Sequence, residues 1–320
     1  MSEEPVIADG TAETRAGFAA LIGEPNAGKS TLLNAMVGAK IAIVTHKVQT
    51  TRARIRGVAM ADTPEEAGGG RAQIVFIDTP GLFRPRRRLD RAMVAAAWAG
   101  AEDADVVCLL VEAHRGLTEG VERILETLAN RPEAKVALII NKIDRVKAPA
   151  LLHIAEALNE RRPFAATFMI SAERGHGVET LRQWLAAEMP KGPFLYPEDE
   201  ISDLPLRMIA AEITREKLTL RLHEELPYQM TVETESWNEL KDGSARIQQI
   251  IYVIRDGHKG IVLGKRGETI KIIGAEARKD IEELIGRRAH LFLEVKSRPG
   301  WLDEKERFDA IGLDFSGGDQ

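Results

Sequence analysis

Short apolar runs of strand length alternate with helically spaced apolar positions over the first 190 or so residues. The strand-like runs fall at Gly17–Ile22, Ile55–Met60, Ala72–Ile77, Asp105–Val111, Lys135–Ile140 and Phe164–Ile170. Between most of them lie helical stretches such as Lys29–Val37, Val121–Ala129 and Val178–Glu188. Near-continuous apolar strands interleaved with helices predict an α/β, doubly wound sheet that is mostly parallel and buried on both faces. The glycine-rich stretch Thr63–Arg71 reads as a loose hairpin tip between the second and third strands. The pattern then changes. Met189–Pro205 carries prolines at 190, 193, 197 and 205 among acidic and aromatic residues, as expected of an interdomain linker. Beyond it come a helix (Leu206–Glu225), two strands (Tyr228–Glu235 and Arg246–Arg255), a glycine-rich turn between helices and a last strand (Ala289–Lys296), which together predict an α+β unit. The division expected is a disordered tail over 1–14, a first domain over 15–189, a linker over 190–205 and a second domain over 206–315, with Ser316–Gln320 also disordered.

Composition supports two soluble domains. The 320 residues are 44% apolar and 29% charged, enough for two separate cores. The single cysteine, Cys108, lies inside the apolar run 106–111, so disulfides and a cysteine-rich zinc site are excluded and a reducing compartment fits. No apolar run is long enough to span a bilayer, and the acidic start Met1-Ser2-Glu3-Glu4 lacks the basic region of a signal peptide. A cytoplasmic protein is expected. The net charge of −5 argues weakly against nucleic-acid binding, because whole-chain charge averages over local patches.

Three motifs carry chemistry. Gly23-Glu24-Pro25-Asn26-Ala27-Gly28-Lys29-Ser30 fits G-x-x-x-x-G-K-[ST] between a predicted strand and a predicted helix, followed by Thr31. Glycines let such a backbone wrap a phosphate chain at a helix N-terminus; Lys29 would reach the β- and γ-phosphates and Ser30 would ligate Mg²⁺. Asp78-Thr79-Pro80-Gly81 follows the third strand, where Asp78 can hold Mg²⁺ and the Gly81 N–H can meet a γ-phosphate. Asn141-Lys142-Ile143-Asp144 ends the fifth strand. The Asp144 carboxylate can accept from guanine N1–H and N2–H₂, a donor pair that adenine lacks. Ser171 and Ala172, ending the last strand of the first domain, are expected to present backbone N–H groups to guanine O6. A GTP/GDP site with Mg²⁺ follows.

In the second domain, Gly264-Lys265-Arg266-Gly267 sits between apolar positions 261–263 and a helix with apolar 270 and 273. Such a turn lets a nucleic-acid backbone approach while Lys265 and Arg266 meet phosphates. Residues 255–279 hold seven Lys/Arg against three Asp/Glu, a local excess of four positive charges in an acidic protein. Arg84, Arg86, Arg87 and Arg88 crowd the loop after Gly81 and are either a further RNA contact or a solvated face. The histidines show no metal-ligand spacing.

These motifs together resemble the Era family of bacterial ribosome-assembly GTPases. Further points of resemblance are Gln49-Thr50-Thr51-Arg52, Leu82 after Gly81, and the segment Glu212-Ile213-Thr214-Arg215-Glu216-Lys217-Leu218 with Glu225-Leu226-Pro227-Tyr228. The resemblance implies a P-loop GTPase domain followed by a type II KH domain, hydrolysis of GTP, and binding of the single-stranded 3′ end of 16S rRNA in small (30S) subunit assembly. A monomer, with peripheral association at the inner face of the cell membrane, is a further expectation on which the residues themselves are silent. Thr51, with Thr50 as its neighbouring alternative, would complete the Mg²⁺ shell and act with Lys29 in catalysis. Leu82 stands where a Ras-like protein has a water-orienting glutamine, so intrinsic hydrolysis should be slow. Related GTPases with asparagine at the position of Asn26 use it to bind an activating K⁺; the alternative is a residue that caps its own turn. A constitutive RNA-binding adaptor with a structural nucleotide is the rival reading. A tRNA-modification enzyme of the same branch would need a domain that is not visible here.

Overall fold

A computed structural model describes residues 13–45, 55–83, 88–222 and 226–299. The expected switch residues Thr50 and Thr51, and Arg84, Arg86 and Arg87, lie outside these ranges. Arg88 opens a helix, but its side chain is not among those described.

The first domain runs β1 (Thr14–Gly23), α1 (Lys29–Val37), β2 (Ile55–Asp62), β3 (Arg71–Asp78), α2 (Arg88–Glu102), β4 (Val106–Glu112), α3 (Glu119–Ala129), β5 (Val136–Asn141), α4 (Ala148–Arg161), β6 (Ala166–Met169) and α5 (Val178–Glu188). Its six strands are ordered β2-β3-β1-β4-β5-β6, and only the β2–β3 pair is antiparallel. Every residue of β4 and β5 is buried, as expected of central strands covered on both faces. On one face Leu32, Leu33 and Met36 of α1 and Leu181 and Leu185 of α5 share a core with Leu21, Ile74 and Phe76. On the other, Ala97 of α2, Ile124 and Leu128 of α3 and Leu158 of α4 pack on Ile22, Leu109 and Ile140. Burial alone accounts for Cys108, whose thiol is pushed up to about 12. Strand order reverses at β1, between β3 and β4, so the crevice beyond the carboxyl ends of β1, β3, β4 and β5 is where an open α/β sheet takes its ligand.

The second domain follows as α6 (Leu206–Arg221), β7 (Met230–Glu239), β8 (Ala245–Val253), α7 (Asp256–Leu263), α8 (Glu268–Ile285) and β9 (Ala289–Ser297). β8 pairs antiparallel with β7 and parallel with β9, which is the small mixed sheet of a KH domain. α6 ends at Arg221, short of the expected Glu225, and β7 begins later and runs farther than its apolar pattern indicates, to Glu239.

The expectation of a loose hairpin tip is corrected. The tip after β2 is a 3₁₀ turn over Glu65–Ala67 followed by three glycines in the left-handed region, and Arg15 reaches its Ala67 carbonyl at 3.0 Å. Residues 190–205, expected to act as a linker, lie along the sheet edge. The Val58 N–H donates to the Ile201 carbonyl (3.0 Å), and Ser202 donates to the Arg56 carbonyl (2.8 Å). Fully buried Gln73 accepts from the Leu195 and Tyr196 amides and donates to the Tyr196 carbonyl. The core under α1 and α5 continues into Ile209 and Ile213 of α6, Ile247 of β8 and Ile281 of α8.

Candidate functional site

Loops converge at the carboxyl edge of the sheet around a cavity of about 430 Å³, lined by Pro25, Asn26, Gly28 and the start of α1 together with Gly81, Lys142 and residues 43–45. The loop after β1 turns on Asn26 (φ +67) and Gly28 (φ +96). A Cβ on Gly28 would stand 2.2 Å from the Asn141 amide nitrogen, so glycine is required there both by conformation and by space. α1 begins directly after it, bringing its N-terminal amides and Lys29 into the crevice. Lys29 is buried and its ammonium is held by the carbonyls of Gly23 (3.2 Å) and Glu24 (3.1 Å). Burial pushes it down to about 8, against the pull of Asp78 and Glu24 in the other direction. A triphosphate beside it would supply the counter-charge that favours the protonated form.

Ser30 donates to Asp78 at 2.8 Å, so two of the three residues expected at Mg²⁺ are already together, and Asp78 is fully buried. A hydroxyl and a carboxylate are hard oxygen donors that suit Mg²⁺, which binds through few protein ligands plus phosphate and water. Bound there, the ion would neutralise charge on the phosphate chain. Among the described residues no group of three or more His, Cys, Asp or Glu is placed to hold a metal. Thr79 donates to the Leu21 carbonyl (2.6 Å), so its hydroxyl fixes the loop and does not face the cavity. Gly81 packs on the P-loop: a Cβ would lie 2.8 Å from the Pro25 backbone. Leu82 donates its amide to the Gly23 carbonyl and buries its side chain in the core, confirming that position 82 has no group to orient water.

At the base end, Asp144 accepts from the Ser171 hydroxyl at 2.6 Å, and this bond holds its carboxyl below the ordinary range, with Arg174 and Arg145 acting in the same direction. It is therefore ionised at neutral pH, as the double acceptor expected from the sequence would have to be. Asn141 works between loops: its amide donates to the Ala27 carbonyl (2.9 Å) and its oxygen accepts from the Ala172 amide (3.0 Å). The amides expected at guanine O6 are thus engaged within the protein, Ala172 by Asn141 and Ser171 by the His176 carbonyl (3.0 Å). Glu173, next in the chain, lines the cavity.

Several groups at this site had no sequence signal. Thr118 caps α3 and donates to the Glu24 carboxylate (2.8 Å), tying the P-loop to that helix. Glu112 reaches Lys142. Glu216, inside the family-specific segment of α6, accepts from Lys40 (2.7 Å) and from the Val44 amide (3.2 Å). Lys40 also reaches Asp280 of α8 at 2.7 Å, and these carboxylates raise its ammonium above the ordinary range despite half-burial.

In the second domain the Gly264–Gly267 turn joins α7 to α8. Gly264 (φ +74), Arg266 (φ +54) and Gly267 (φ +78) take left-handed φ, and a Cβ on Gly264 would meet the Thr269 hydroxyl at 2.1 Å. Lys265 and Arg266 are exposed. Val262 and Ile273 are buried beneath the turn, whereas Ile261 stands 56% exposed beside it, an apolar surface against which a base can lie.

Fold and sites define a P-loop GTPase carrying a KH domain. The family model described as 50S ribosome-binding GTPase matches residues 18–142, and the KH domain model matches 225–302. The GTPase Era of Dinoroseobacter shibae is 69% identical over 312 residues, covering 97% of this chain and 99% of its own length. That of Brucella suis is 56% identical, covering 95% and 94%. The chain belongs to the Era family of GTPases and hydrolyses GTP. Among solved structures, an Aquifex aeolicus Era variant bound to GDP·AlF4⁻ is 35% identical with a TM-score of 0.85, covering 93% of this chain and 99% of its own. An Era in complex with MgGDPNP and nucleotides 1506–1542 of 16S ribosomal RNA matches to the same degree. Among the described residues no helix is long and apolar enough to cross a membrane.

Proposed function

We propose that this chain is a nucleotide-controlled clamp on the 3′ end of 16S rRNA, acting in small-subunit assembly and holding its RNA through Gly264–Gly267. The observation that carries this reading is the seam between the domains. Residues 40–44, which lead from α1 toward the expected switch threonine, are fastened by Lys40 and the Val44 amide to Glu216 of α6 and Asp280 of α8. A change in that segment on hydrolysis is therefore felt by the KH helices, a physical coupling that an adaptor with a structural nucleotide does not need. The complex of an Era with MgGDPNP and 16S rRNA supports the same pairing of ligands. A short single-stranded RNA from the rRNA 3′ end should change steady-state GTP turnover by at least about fivefold in a phosphate-release assay. Turnover indifferent to RNA would favour the adaptor.

Potassium enters the same reading. With Leu82 unable to orient water, a monovalent cation held at Asn26 would add positive charge beside the phosphate bridge in the transition state. Turnover should rise at least about fivefold when K⁺ replaces Na⁺, and Asn26→Ala should remove the difference. Equal rates in the two salts would leave Asn26 as a turn residue.

A further inference from the structure

Glu112 is a carboxylate, only 8% exposed, on the wall of a cavity built for a polyanion. Alone it would oppose the ligand. It closes β4 beside Asn141, its register partner on β5, and its two oxygens face Lys142 Nζ at 3.0 Å and His114 Nε2 at 3.2 Å. Lys142 leaves its loop in the left-handed region (φ +62), and its ammonium also donates to the Asn26 carbonyl at 2.6 Å. The lysine is thus stretched from the base loop to the P-loop and held at its far end by one charged and one neutral acceptor. Its four-carbon stem then becomes a fixed apolar wall between the two loops, where a planar base would lie.

Without the negative charge, the ammonium keeps only neutral acceptors, and the strongest remaining attraction for it is the phosphate chain. A flexible lysine that turns there leaves the base end open and adds a sequence-blind cation at the phosphate end. We propose that Glu112 is a positioning residue for binding of the nucleotide base: it holds Lys142 across the base and away from the phosphates. The proposal rests on the assignment of Asn141–Asp144 as the base-binding loop.

The two ends of the ligand separate this role from simple packing. Full-length Glu112→Gln keeps size and hydrogen bonding but loses the charge. Displacement of a fluorescent GDP analogue should show its GDP affinity reduced about tenfold, while inorganic tripolyphosphate binds as well as to the parent protein or better. Glu112→Asp should recover at least half of the loss on a logarithmic scale, and Glu112→Gln should add less than about twofold in a Lys142→Met background. Parental GDP affinity in Glu112→Gln, equal losses for GDP and tripolyphosphate, or an undiminished penalty in the Lys142→Met background would each overturn the proposal. Asp144→Asn runs in the same assay as a control: unchanged GDP affinity there overturns the base-loop assignment itself, whatever Glu112 does.

Discussion

Asp144→Asn should weaken GTP binding by more than about 2 kcal/mol and raise affinity for xanthosine triphosphate in the same protein. The carboxylate is kept ionised by the Ser171 hydroxyl at 2.6 Å and by nearby arginines, so at neutral pH it offers acceptors only. Guanine presents two donors to it. An amide in that place sets one donor against another, whereas the 2-oxo group of xanthine accepts from the new amide. Parallel titrations of the two nucleotides check this result, and unchanged GTP affinity would remove Asp144 from the base site. The Ser171 contact and the Asn141 bridge to Ala27 and Ala172 remain in the variant, so its fold should be intact.

Replacing both Lys265 and Arg266 by aspartate should collapse binding to a single-stranded RNA from the rRNA 3′ end while GTP affinity stays within about twofold of the parent. The turn owes its shape to Gly264 and Gly267, which the variant keeps, and both changed side chains are exposed. The substitution moves the local charge by four units and places carboxylates against phosphates. Affinity should fall by at least about a hundredfold at low salt, and the parent's salt dependence should report a few phosphate contacts. Any stimulation of turnover by RNA should vanish with it. An anisotropy titration beside a phosphate-release assay decides the matter; tight RNA binding by the double variant would shift attention to the arginines of 84–88.

Much of the candidate site is legible in the sequence because its chemistry is local. The loop 23–30, Asp78–Gly81 and Asn141–Asp144 each follow a strand, and parallel strands bring their carboxyl ends to one edge. Helices Lys29–Val37 and Val178–Glu188 have the bounds that their apolar spacing predicts. α2 and α4 are not delimited by pattern: α2 is alanine-rich, and α4 opens on Ala-Pro with few buried positions. Contacts between distant segments leave no such trace. Nothing in the local spacing ties Glu24 to Thr118, Lys142 to Glu112, or Val44 to Glu216, because each pair is set by how two loops or two domains meet. The segment Glu212–Leu218 shows the limit best. Its residues are legible as a family mark, but their use is not: Arg215 is buried in a bidentate pair with Glu212, Thr214 bonds Gln249, Ile213 joins the core shared by the two domains, and Glu216 and Lys217 enter the ion pairs at the seam.

The strap over residues 195–203 has a consequence for how the chain is made. β2 is an edge strand, and its outward groups at Arg56 and Val58 are met by Ser202, Asp203 and Ile201, which are synthesised about 140 residues later. Until that stretch leaves the ribosome, a nascent first domain can complete its nucleotide crevice yet still presents an open sheet edge, the surface on which chains pair wrongly and aggregate. Closing the edge and delivering α6 to Lys40 are the work of one continuous stretch of polypeptide. A first domain truncated at 189 would keep that edge open, and it should aggregate more readily than the full chain.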